Sequence, residues 1–197
     1  MKVSSLLDCI AETSAAALTK YWPARDENGI TESNIRSAMT VVMHSLGFNC
    51  FSELPLRRSS ENIRVDFTAI RDTPYGTTVV LAETKTGGGG EARVNSWIKG
   101  YLRLRSVELP KQKDKGIDPE GAEYLHLSLY LTDDKKRKDQ VLDEISTNET
   151  HEVTSARNIQ DLKLSDGKSY FFEQDVQWSL TLFCLSDKSD FGRLKFS

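Results

Sequence analysis

The sequence predicts an α/β protein, in which helices are interspersed with β-strands, and three observations carry that expectation. A capped amphipathic stretch begins at Thr31, two β-rich segments flank a Pro-Tyr-Gly turn, and a second amphipathic helix is followed by a strand of alternating leucines. At 197 residues the chain can bury one core but is short for two, so 1–197 reads as one domain. The core is expected over about 31–131, with 1–30 a helical N-terminal extension and 132–197 a C-terminal helix and strands.

Each element has a local reason. Ser4 to Leu18 is helical but interrupted by Asp8 and Glu12, so it is neither a signal peptide nor a membrane span. From Thr31, apolar Ile35, Ala38, Met39, Val42, Met43 and Leu46 recur at three- and four-residue spacing, and Gly47 stops the helix. Phe48 to Leu56 is the first expected strand. Ile63 to Ile70 alternates, with Ile63, Val65, Phe67 and Ala69 on one face and Arg64, Asp66, Thr68 and Ile70 on the other. Thr77 to Thr86 is rich in β-formers, and the turn near Pro74 makes these two segments an antiparallel hairpin. Val94 to Val107 is a helix with Val94, Trp97, Ile98 and Tyr101 inward, and Pro110 to Gly121 is a polar connector. Tyr124 to Leu131 is a strand, Asp133 to Glu144 a solvated helix, the region through Ser165 is ambiguous, and Ser169 to Leu185 returns to strand character.

Composition narrows the function classes. With 38% hydrophobic and 28% charged residues and five prolines, the chain is a globular protein rather than a disordered or fibrous one. A cytoplasmic location without membrane association is the default expectation. Cys9, Cys50 and Cys184 are too scattered for a disulfide framework or zinc site, and His44, His126 and His151 lack ligand spacing. No serine, cysteine or histidine nucleophile arrangement stands out. Gly87 to Gly90 is a flexible connector or a loop over a substrate, and it lacks the lysine of a phosphate-binding P-loop. Trp22, Trp97 and Trp178 read as packing residues. The formal charge of -3 requires any nucleic-acid contact to be local. Arg57 to Lys115 supplies it, with twelve basic and seven acidic residues.

Chemistry concentrates in the hairpin. A turn near Pro74 sets Asp66 opposite Ala82 or Glu83, and the two-residue period sends Glu83 and Lys85 from one face of their strand. Three charged groups converging on a buried strand cost several kcal/mol unless compensated. A hard divalent cation compensates well, because Mg²⁺ accepts a few carboxylates and keeps places for water and phosphate.

Arg64-Val65-Asp66, sixteen intervening residues, then Glu83-Thr84-Lys85 resembles the signature of the PD-(D/E)XK nuclease superfamily, with Val65 where that signature has proline. The preceding helix and the strand ending in Phe51-Ser52-Glu53 resemble the superfamily's opening elements, and the resemblance covers roughly Thr31 to Leu131. It implies a restriction-endonuclease-like three-layer core, a central mixed β-sheet flanked by helices, and a Mg²⁺-dependent endonuclease acting on DNA in preference to RNA, with Mn²⁺ as a substitute and metal-bound water as nucleophile. It implies Asp66 and Glu83 as metal ligands with the Thr84 carbonyl as a third, and Lys85 as catalytic lysine. Glu53 is favoured as a fourth catalytic member, with Glu32 its rival. Arg57, Arg58, Arg64, Arg93, Lys99 and Arg103, with Arg105, are the candidate phosphate contacts. Such chains work alone, as homodimers or inside larger complexes. The competing expectation is a catalytically silent nuclease-fold protein, serving as a nucleic-acid-binding or assembly subunit.

Overall fold

The computed structural model describes residues 3–21, 31–58, 61–74, 76–86, 91–107, 122–132, 153–163 and 177–185, together with Asp139 and Asp143. In chain order these form α1 (Val3–Tyr21), α2 (Glu32–Ser45), β1 (Asn49–Arg58), β2 (Glu61–Thr73), β3 (Gly76–Thr86), α3 (Glu91–Leu104), β4 (Glu123–Thr132), β5 (Val153–Lys163) and β6 (Gln177–Leu185).

Helix α2 shows how local chemistry fixes an element. Asn34 Oδ1 reaches back to accept the Thr31 N–H at 2.8 Å, which satisfies a donor at the helix entrance. At the other end Gly47, at φ 81°, donates to the His44 carbonyl, while the Phe48 N–H donates to the Met43 carbonyl. Those two bonds form a Schellman closure, which needs a left-handed residue and so favours glycine.

The strands form one six-stranded mixed sheet in the order β1-β2-β3-β4-β6-β5. β3 and β4 run parallel with α3 between them in sequence, and every other neighbouring pair is antiparallel. Val79 to Thr84 are buried on both faces of β3, as expected for a strand enclosed by two layers. On one face α1 and α2 pack Leu6, Ile10, Ile35, Met39 and Met43 against Phe67, Val80, Ala82, Leu127 and Leu129. On the other, α3 places Val94, Trp97, Ile98 and Tyr101 against Tyr130, Phe183 and Leu185. The expected three-layer α/β arrangement is therefore present.

The hairpin closes with Thr73 opposite Gly76, and Asp72 Oδ1 accepts a hydrogen bond from Thr77 Oγ1 across it at 2.7 Å. Ile63 and Val65 pack with Val79, Leu81 and Leu104, whereas Phe67 and Ala69 pack beneath α1 and α2. The single apolar face expected for this strand is thus divided at Asp66, and Ile70 is buried as well. β1 lies at the sheet edge and carries an exposed proline, Pro55, in its middle. The ambiguous region before Ser165 contains β5, paired with β6. The expected helix over Asp133 to Glu144 lies outside the described residues except for Asp139 and Asp143, which are helical and exposed. Trp22, His151, Gly87 to Gly90 and Pro110 to Gly121 also lie outside them. Among the described residues no helix is long and apolar enough to cross a membrane.

Trp97 has no exposed surface, and its ring lies tilted 5.3 Å from that of Tyr130 and edge-on 6.5 Å from that of Phe183. Trp97→Ala should cost about 3–5 kcal/mol in urea unfolding, because the cavity left behind cannot fully collapse. A loss below about 1 kcal/mol would show that α3 is not anchored through this ring.

Candidate functional site

A fork in the sheet organises the charged residues. β2 pairs with β3 from Thr73 opposite Gly76 as far as Phe67 opposite Ala82, and pairing stops there. Beyond that point β2 continues against β1 to Glu61, while β3 continues against β4 to Thr86. The next pair in this register would be Asp66 and Glu83. Both carboxylates therefore stand where the two strands part, in one of the two registers, Ala82 or Glu83 opposite Asp66, that the turn position allowed.

The Thr84 N–H of β3 has no ladder partner on the opened side, and a buried backbone donor left unmade costs about 1–3 kcal/mol. Asp66 Oδ2 accepts it at 2.8 Å and also accepts a bond from Thr84 Oγ1 at 3.2 Å. One carboxylate oxygen thus completes the strand, and Oδ1 faces Arg36 of α2 at 3.9 Å.

Glu83 points to the opposite layer. Its side chain is only 5% exposed, and Oε1 accepts a hydrogen bond from Arg103 Nη2 of α3 at 3.0 Å. A side chain at Gly100, one turn earlier on α3, would begin 4.0 Å from the Glu83 Cγ, so the helix can lie close here. Burial raises the Glu83 pKa first, and the Asp66 charge raises it further. The Arg103 hydrogen bond and charge, then the Lys85 charge, pull it back, leaving it at about 7.

Lys85 departs from the expectation that it shares a direction with Glu83. Its Nζ lies 3.4 Å from Glu32 Oε1 in the first turn of α2, across the sheet from Arg103. The strand period places both side chains on one face, but Lys85 stands past the fork, where no β2 backbone blocks a route to the α2 layer. The triad is consequently gathered at one opening, with each member held by a different partner.

Glu53 sits apart from Lys85 and Glu83. It contacts Arg64 Nη2 at 2.9 Å and Arg36 Nη2 at 3.7 Å, so Arg36 stands between Glu53 and Asp66. Among described non-glycine residues Glu53 alone has positive φ, at 55°, and it interrupts the β1–β2 pairing opposite Asp66. A left-handed non-glycine residue costs roughly 1 kcal/mol or more and persists where its surroundings enforce it. Glu32, the rival to Glu53, is the carboxylate that meets Lys85.

Of the candidate phosphate contacts, Arg64, Lys99, Arg103 and Arg105 are exposed, with Arg64 and Arg103 engaged as above. Arg57 and Arg58 end β1 and Arg93 lies in the first turn of α3, and their side chains lie outside the described set. Among the described residues no group of three or more His, Cys, Asp or Glu side chains is placed to hold a metal ion. Asp66 and Glu83 are a pair of hard oxygen donors whose mutual repulsion registers in Glu83, and a pair suffices for Mg²⁺, which keeps several waters. Arg36 and Arg103 were not recognisable from sequence as partners of the triad. The only signal was the four-residue step from Glu32 to Arg36 on the polar side of α2. Comparison with known proteins finds no matching family model, curated relative or solved structure.

Because its folded pKa is raised from 4.5 to about 7, Glu83 favours the folded state fully below pH 4.5, and that contribution is lost as pH rises through 7. Glu83→Gln cannot ionise, so its stability should gain on the wild type between those values and level off above them. The gain is at most about 3 kcal/mol. Denaturation curves at several pH values measure it, and a pH-independent difference would show that Glu83 is not desolvated.

Proposed function

We propose that the chain is a Mg²⁺-dependent phosphodiester hydrolase with a restriction-endonuclease-like core, an endonuclease acting on DNA in the cytoplasm. The observation that carries the proposal is the fork, where Asp66 and Glu83 occupy the adjoining positions at which strand pairing ends, close enough for the Asp66 charge to raise the Glu83 pKa, and Lys85 lies two residues further on. A structural role alone gives no reason to place two carboxylates in adjoining positions with one of them buried, since each charge raises the cost of the other.

Mg²⁺ held there by Asp66, Glu83 and the Thr84 carbonyl would polarise the scissile phosphate and activate water for in-line attack. The chain's own groups do the remaining work. Asp66 is fixed by the Thr84 N–H, so its other oxygen, beside Arg36, keeps one direction. Glu83 would hold the cation in place of Arg103, whose half-exposed side chain would then meet substrate phosphate. Lys85, one-third exposed and held by Glu32, presents an ammonium to the charge that develops on phosphorus oxygens or to the attacking water. The exposed Lys99, Arg103 and Arg105 put positive charge on the α3 side of the opening, suited to backbone contact.

Cleavage of plasmid or linear DNA in Mg²⁺ or Mn²⁺ is the direct test. Asp66→Ala and Lys85→Ala should each lower the rate by about a hundredfold or more, as loss of a preorganised charge in such a site does. Activity that survives both changes would remove the assignment. Calorimetric titration with Mn²⁺ should give a binding signal that Glu83→Ala abolishes. A wild type that neither binds Mn²⁺ nor cuts DNA would point instead to the silent nuclease-fold subunit.

A further inference from the structure

Beside the fork lies a second polar feature. A cleft of about 340 Å³ separates α2 from the edge strand β1, lined by Ser33, Arg36, Ser37, Thr40, Ser52 and Glu53. Four of these residues come from one stripe of α2, at the three- and four-residue steps that put side chains on a common face. The lining therefore carries one guanidinium, the Glu53 carboxylate and four hydroxyls, of which Thr40 Oγ1 donates to the Arg36 carbonyl and Ser33 Oγ pairs with Thr31 Oγ1.

Arg36 is poorly served by its neighbours. Its two ion pairs, with Glu53 at 3.7 Å and Asp66 at 3.9 Å, are both longer than a hydrogen bond, and its side chain is 18% exposed. Five N–H donors in a planar fork are thus held between two carboxylates without a good bond to either. The Ser37 and Ser52 side chains are exposed, and their hydroxyls bond no other described residue. Glu53, with its left-handed backbone, closes the β1 side of the same cleft.

We infer that this cleft is a subsite for the sugar-phosphate backbone of nucleic acid, with Arg36 reaching a phosphate next to the one at the Asp66–Glu83 fork. The inference rests on the phosphodiesterase reading and adds the path of the strand. Arginine, serine and threonine are the side chains that hold backbone phosphates. The lining contains no aromatic ring on which a base could stack, which favours contact with the backbone over contact with bases. Arg36 and Arg64 balance Glu53 and Asp66 in charge, so an incoming phosphate is held best when a divalent cation offsets Asp66. Binding here and cation binding at the fork therefore reinforce each other.

The test is fluorescence anisotropy with a short fluorescein-labelled DNA duplex in Ca²⁺, a hard cation with looser geometry than Mg²⁺. Ser37→Glu, on an exposed helical position that glutamate tolerates, should weaken binding about tenfold or more by placing a carboxylate in the cleft. Arg36→Gln should weaken it and reduce the salt dependence by about one phosphate contact. Mn²⁺ affinity of Ser37→Glu, by calorimetry, should stay within about twofold of wild type. Wild-type affinity in both variants, or no duplex binding by the wild type, would overturn the subsite. DNA cleavage with both variants binding normally sinks this inference alone, while cleft-dependent binding without cleavage sinks hydrolysis and keeps the subsite.

Discussion

The bond from the Thr84 N–H to Asp66 is the constraint on which the rest of the site depends. A central strand cannot leave its backbone donors unmade, so two neighbouring strands part only where something replaces the ladder. Here a carboxylate from the departing strand replaces it, and the sheet opens without an orphaned amide. The opening in turn lets side chains from both helical layers meet: Glu32 and Arg36 from α2, Arg103 from α3. A neutral side chain at position 66 could fill the space but would supply no charge to organise those partners.

The electrostatics follow a pattern of distributed pairing. Each charged member of the triad has its own counter-ion, and no two of them pair with each other within 4 Å. Glu83 nonetheless remains hard to ionise, because burial outweighs what a half-exposed arginine returns. An ion pair that leaves such a deficit is open to exchange for a stronger cation, whereas a fully compensated one would not be. Arg36 carries the complementary imbalance, a guanidinium with two distant carboxylates and no short bond.

Much of the hairpin was readable from sequence because an antiparallel pair is set by its turn: Pro74 places Asp66 opposite Ala82 or Glu83, and the observed register, Phe67 opposite Ala82, selects Glu83. The spacing of Ile35, Met39 and Val42 likewise defined the buried face of α2. What escaped was non-local. Strand period could not show that Lys85, just past the end of a ladder, would find α2 instead of following Glu83. Neither Arg36 nor Arg103 carries a local mark of its partner, since each meets its carboxylate only when a helix docks on the sheet. β5 went unread because its residues Val153 to Lys163 alternate weakly and its pairing with β6 spans a long stretch of chain.

Pro55 has a consequence for how copies of this chain can meet. β1 forms one border of the sheet, and such borders are where proteins recruit further strands from one another. Proline offers no amide hydrogen to an incoming strand, and the left-handed Glu53 two residues earlier departs from the extended backbone that a ladder requires. Templated growth along this half of β1, the route toward fibrils and swapped assemblies, is thereby obstructed beside the opening that holds Asp66. The border next to the candidate site is also one on which another copy gains little purchase.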